Sequence, residues 1–152
     1  MQLAQRLADA RAAGWADWIR TEADEQAVAD GCYFDVATAQ RVRDFFTKFL
    51  RHSKGQWAGK PFALLDWQWR DVVGPLFGWK RADGTRRYRR GYIEVPKKNG
   101  KSCVFSGLTL YLLMGDHEPG AEIYSAAVDR DQASIVFNEA ANMVESSPAL
   151  GS

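Results

Sequence analysis

Lys101 and Ser102 stand directly behind Gly100, and Lys97, Lys98 and Asn99 stand directly before it. That spacing gathers three ammonium groups, one hydroxyl and a conformationally free glycine into six residues. The chemistry it suits is the grip of a phosphate tail. In such a loop a lysine reaches the terminal phosphates of a nucleotide, backbone N–H groups cradle them, and a hydroxyl at the start of the next helix binds Mg2+. By that logic Lys101 holds the β and γ phosphates and Ser102 is the Mg2+ ligand, while the N–H groups of Asn99, Gly100 and Lys101 form the cradle. Lys97 or Lys98 neutralises charge developing on the γ-phosphate, as an arginine finger supplied in cis does. The pattern departs from the common one at its start. Val95 stands five residues before Gly100, where a glycine is usual, and the adjacent Pro96 has a fixed φ and no N–H.

Such a turn works only if a strand delivers it to the edge of a sheet and a helix leaves from the lysine, pointing its positive dipole end at the anion. The sequence offers both. Residues 91–95 read as a short strand. "CVFSGLTLYLLMG" is apolar nearly all round and reads as a buried helix ending near Gly115. "AEIYSAAV" reads as a second apolar strand. An amphipathic helix follows, N-capped by Asp129 with Gln132 three residues on, and it carries Ala133, Val136, Phe137, Ala140, Ala141 and Val144 on one face. Strand, helix, strand, helix in that order predicts an α/β fold, a partial P-loop NTPase whose parallel sheet is covered by helices and is incomplete.

Upstream, residues 2–20 read as a helix with Leu3, Leu7, Ala10, Trp18 and Ile19 broadly on one side, and an acidic stretch stops at Gly31. A helix from Asp35 to Leu50 carries an apolar face of Val42, Phe45, Phe46 and Phe49. A loop rich in glycine follows, then a helix from Asp66 that Gly74-Pro75 interrupts, then a hairpin turn at Asp83-Gly84. The expected organisation is an N-terminal helical segment, 1–55, and an incomplete ATPase core, 56–152.

Composition narrows the function classes. The chain has 152 residues, 46% of them hydrophobic, enough for one ordinary core or part of one. No run of 18 apolar residues exists, which excludes a helical membrane span, and the N-terminus has no apolar stretch of the secretory type. Cys32 and Cys103 are isolated, which points to a reducing compartment without a disulfide framework or zinc site. His52 and His117 are too far apart in sequence to suggest a metal cluster. The net charge of +1 hides an asymmetry: Lys80 to Lys101 holds nine basic and two acidic residues, so this segment carries +7 and the remainder −6. A basic segment in an acidic chain points to a polyanion nearby.

The loop and its flanks resemble the large terminase subunits of tailed bacteriophages. "VPKKNGKS" is similar to the form of the loop in that family, with Lys97 at the basic position three residues before the glycine and the first glycine absent. "FALLDWQWRDVVGPLFGW" resembles the family's adenine-side segment, an aromatic–glutamine pair ahead of the loop. "GCYFD", "GKPF" and "YSAAVDRDQA" extend the likeness over about residues 25 to 145. The resemblance implies that Trp67 and Gln68 contact adenine; a glutamine amide both donates and accepts, as the N6 and N7 edge of adenine requires. It implies ATP and Mg2+ as cofactors and double-stranded DNA as the substrate that the motor moves. It also implies a small terminase subunit and a portal or prohead as partners, and a phage or prophage protein in the host cytoplasm. The basic residues Arg86–Arg90 would meet DNA phosphates or a neighbouring subunit.

An ATPase of this class also needs an acidic strand end, an Asp for Mg2+ and a Glu that polarises water. Asp116 and Glu118 are superficial candidates only. About a dozen residues separate them from Ser102, and the helix leaving the loop consumes those. The sequence therefore reads as the first part of a longer motor, a truncated gene or fragment without the residues for full turnover or a nuclease domain, prone to self-association or to joining the remainder of the motor. Two other readings stay open at this point: part of another P-loop motor such as a helicase, and a non-catalytic remnant or interaction module.

Overall fold

The computed structural model describes residues 2–151. They form two units, Met1–Arg41 with Asp66–Ile93, and Val42–Leu65 with Glu94–Ser152.

In the first unit α1 (Gln2–Ala12) ends where Gly14 takes φ +76°, short of the helix expected over 2–20. Trp15 and a 3-10 turn at Ala16–Trp18 then bring two indoles into the core. α2 (Glu22–Ala29) opens on a reciprocal capping box. Thr21 Oγ1 accepts from the Asp24 N–H, and the Asp24 carboxylate accepts from the Thr21 N–H. It ends before Gly31, which takes φ +95°, as the sequence predicts. β1 (Tyr33–Phe34) pairs antiparallel with β2 (Trp79–Lys80).

A π-wound segment, Gln68–Val73, runs directly into α4 (Gly74–Gly78). Gly74-Pro75 therefore does not interrupt the helix. Pro75 lies in the first turn of α4, where its missing N–H costs little, and the wide turn before it relieves the ring's clash. The glycines have a packing role: a Cβ on Gly74 would lie 2.3 Å from the Trp18 ring, and one on Gly78 would lie 2.2 Å from the Phe34 ring.

Aromatic packing fills this core. Trp18 stacks on Phe34 at 4.2 Å, and Trp79 meets Trp15 and Phe34 edge-on. The expected Asp83-Gly84 turn forms, with Gly84 at φ +81° and the Asp83 carboxylate accepting from Thr85. From it Arg87 turns inward. Its guanidinium lies over the Trp79 and Tyr88 rings and donates to Asp24 Oδ1 at 2.7 Å.

α3 (Val36–Phe49) begins in the first unit and ends in the second. Asp35 caps it by accepting from the Thr38 N–H, and the Arg51 guanidinium donates to the carbonyls of Thr47, Lys48 and Leu50 at its end. In the second unit its Val42, Phe45 and Phe46 are buried, while Phe49 is 38% exposed, so the predicted stripe is one residue shorter than expected. α5 (Lys101–Leu110) continues as a π-wound turn, Tyr111–Gly115, and packs on α6 (Arg130–Glu145). Asp129 caps α6 through the Gln132 N–H, as expected. The buried face of α6 holds Glu139, Ala140 and Met143; Phe137, expected to face inward, is 71% exposed.

The expected parallel sheet is not formed. Among the described residues the only sheet is the antiparallel β1–β2 pair, and neither 91–95 nor 121–128 is a strand. A strand exists only when a neighbour accepts its ladder, and neither segment has one here. Tyr92, Tyr124 and Val128, expected on buried strands, are 89%, 84% and 97% exposed. The fold is mixed and helix-rich, with a small sheet compatible with part of an ATPase domain.

Burial pushes the Asp24 carboxyl up, but hydrogen bonds from Arg87, Thr21 and the Arg20 N–H outweigh it and hold the group below its ordinary value of 3.8. A depressed carboxylate stabilises the fold above the unfolded value and ceases to do so as pH falls through the folded one. Asp24→Ala should therefore destabilise the first unit by roughly 2–3 kcal/mol at neutral pH, because Arg87 loses its partner in a largely buried place. Urea melts should show the gap between wild type and variant closing as pH falls below about 4.

Candidate functional site

The turn ahead of α5 is shaped by its backbone. Lys97 and Lys98 form a turn, Asn99 Nδ2 donates to the Pro96 carbonyl at 3.3 Å, and Gly100 N-caps α5 at φ +70°, ψ 14°. Lys98 also has positive φ, +69°, whereas Lys97, Asn99 and Lys101 do not. The sign of φ therefore alternates from Lys97 to Lys101. Left-handed residues alternating with residues of negative φ are a feature of nests, turns whose successive N–H groups face one concavity. A lysine at φ +69° is strained relative to glycine, so the tertiary setting, not residue preference, holds it there.

Three ammonium groups surround this turn. Lys97, Lys98 and Lys101 are all exposed, and none pairs with a carboxylate among the described residues. The first turn of α5 contains no acidic residue. Ser102 is half-buried in that turn. The Ser106 hydroxyl, one turn on, donates to the Ser102 carbonyl and contacts the Val136 carbonyl of α6, each at 2.8 Å.

Below the turn lies a group that sequence reading missed. Glu139 of α6 is 7% exposed. Its Oε1 accepts from the Ser53 hydroxyl at 2.5 Å and from Cys103 Sγ at 3.7 Å, and its Oε2 lies 3.5 Å from Lys54 Nζ. Burial, and then the neighbouring Glu139, pushes the Cys103 thiol up, so it stays protonated as a donor. Burial against Phe62 pushes His52 down, opposed by Glu139. The only trace of Glu139 in the sequence is a carboxylate between apolar positions of an amphipathic helix, which by default reads as solvent-facing.

The remaining predicted residues lie elsewhere. Trp67 and Gln68 begin the helical segment of the first unit, whereas the loop belongs to the second. Gln68 is 3% exposed, and Trp67 is half-buried. Asp116 and Glu118 lie in the connection after the α5 helix, not at a strand end. Among the described residues no group of three or more His, Cys, Asp or Glu could hold a metal ion. No helix is long and apolar enough to cross a membrane.

Three exposed lysines thus stand at a turn that opens directly into a largely buried helix. Residues 66–151, more than half of the chain, match the family described as terminase large subunit, ATPase domain, and the chain belongs to that family. The match begins just before Trp67 and Gln68 and contains the whole loop. The large terminase subunit of Enterobacteria phage HK97 is 30% identical over 112 residues, covering 73% of this chain and 21% of that protein. The chain thus spans about a fifth of the length of that relative. No solved structure matches it. The helicase and remnant readings are not favoured by these findings.

Gly100 carries the left-handed conformation that lets the loop enter α5. Gly100→Ala should cost about 1–2 kcal/mol in thermal unfolding, the usual cost of a Cβ at positive φ.

Proposed function

We propose that this chain is the ATP-binding part of a phage DNA-packaging motor, and that Lys97 to Ser102 grip the triphosphate. The observation that carries the reading is the alternating turn with three unpaired ammonium groups at the start of α5. This donor set fits a polyphosphate: fixed N–H groups, mobile positive charge, and no carboxylate to compete.

Lys101 binds the β and γ phosphates, and the N–H groups of Asn99, Gly100 and Lys101 orient them. Lys97, with Lys98 beside it, offsets charge that grows on the γ-phosphate oxygens. The Ser102 hydroxyl, in the first turn behind the lysine, would hold Mg2+, which supplies charge neutralisation between the β and γ oxygens. Trp67 and Gln68 are assigned to the adenine side, where an amide can serve N6 and N7 together.

The same reading makes 91–95 and 121–128 parallel strands of a helix-covered sheet, supported by the exposure of apolar side chains that a sheet would cover. Double-stranded DNA is the substrate that the intact motor moves, with a small terminase subunit and a portal or prohead as partners in the host cytoplasm. The exposed Arg89 and Arg90 face DNA phosphates or a neighbouring subunit, whereas Arg87 is committed to Asp24.

Calorimetric titration with Mg-ATP and with inorganic tripolyphosphate tests the assignment. Lys101→Ala should lose both ligands by at least tenfold, about 1.4 kcal/mol. Gln68→Ala should weaken ATP and leave tripolyphosphate unchanged. Equal affinity of wild type and Lys101→Ala for both ligands would remove the loop assignment.

A further inference from the structure

Glu139 is a carboxylate that the nucleotide chemistry above does not use, in a place where a carboxylate is costly. A charge withdrawn from water needs partners, and hydrophobic packing of equal volume is often at least as stable. The other buried residues of the two helices are mostly apolar or small, Val104, Gly107, Leu108 and Leu110 on α5 and Ala140 and Met143 on α6. Glu139 collects its partners from two segments distant in sequence. Ser53 and Lys54 come from the connection after α3, and Cys103 comes from the first turn of α5, directly behind Ser102. One turn along, Ser106 ties the Ser102 carbonyl region to the Val136 carbonyl, three residues before Glu139. The polar bonds of this interface therefore concentrate beneath the turn that leaves the loop.

We infer that Glu139 is a positioning residue for the phosphate loop. Its carboxylate holds the first turn of α5 against α6 and against the 53–54 connection, and so fixes the orientation of the Lys101 and Ser102 side chains and of the N–H groups ahead of them. A rotation of a single residue in the first turn swings those groups by about 100°, far outside hydrogen-bond tolerance. The inference rests on the phosphate-loop reading and adds to it a residue that never touches the ligand.

The test uses the full chain and tripolyphosphate with Mg2+ as the probe, well below the melting transition. Glu139→Ala should weaken binding at least tenfold. Glu139→Gln keeps an acceptor oxygen for Ser53 and Cys103 and should restore affinity to within about threefold of wild type. Met143→Ala, a fully buried neighbour on the same helix face, should lower the melting temperature without changing affinity. Amide exchange should speed up over residues 98–104 in Glu139→Ala and return to the wild-type rate in Glu139→Gln. Where Glu139→Ala does not fold, the double variant Ser53→Ala with Cys103→Ala removes the two donors and should weaken binding in its place. Unchanged affinity in the Glu139→Ala chain, or in that double variant, beside loss in Lys101→Ala overturns the positioning role and leaves the loop assignment intact. Unchanged affinity in Lys101→Ala overturns both. Equal losses in Glu139→Ala and Met143→Ala would reduce Glu139 to general stability and overturn the role as well.

Discussion

The register between Gly100 and Gly107 governs the second unit. Seven residues are close to two helical turns, so these positions lie on nearly the same line of α5. Val104, Leu108 and Tyr111 share that line and are buried. Gly107 fixes it, because a Cβ there would come within 2.4 Å of the Phe46 ring. α5 cannot turn about its axis without driving a bulkier position into Phe46. The loop thus leaves its left-handed glycine above the buried stripe, and the rotation of α5 as a whole is set by packing two turns below it.

Charge is handled in opposite ways in the two units. In the first, Arg87 and Asp24 pair within an aromatic core, and Arg20 pairs with Asp71 at 2.8 Å. In the second, three lysines stand unpaired around the positive end of a helix with no acid in its first turn. Cations at a helix N-terminus are unfavourable by a few tenths to about 1 kcal/mol each. In the proposed reading, an anion bound in the turn relieves that repulsion and meets the N–H groups, so the turn is less stable empty than a neutral one and the difference returns as affinity.

Much of the helical structure was legible in the sequence, because a helix satisfies its own backbone and announces its ends locally. Asp129, Gly31 and the Asp83-Gly84 turn behave as their chemistry dictates. Errors arose where distant contacts decide. α1 ends early at Gly14, Pro75 is absorbed by a π-wound turn, and the inner face of α6 is rotated toward Glu139 and Met143 and away from Phe137. That rotation follows from Glu139 having partners 86 and 36 residues away, which no periodicity encodes. The candidate site divides the same way. The Gly-Lys-Ser run and the helix behind it could be read directly, whereas the buried carboxylate beneath them could not.

Strands depend on distant contacts too, and the consequence reaches the loop. Residues 91–95 have strand composition, but a ladder is a property of two segments, and among the described residues no second segment pairs with them. The approach to the loop is therefore held by no sheet hydrogen bonds. Within the turn itself, Asn99 makes a long side-chain contact back to the Pro96 carbonyl. Downstream, by contrast, the Val104 N–H bonds the Gly100 carbonyl, Ser106 bridges to α6, and Cys103 reaches Glu139. On its helical side the turn keeps its shape only as well as α5 keeps its orientation, and in the proposed reading the polar contacts gathered under the first turn of α5 therefore bear on ligand binding as well as on packing.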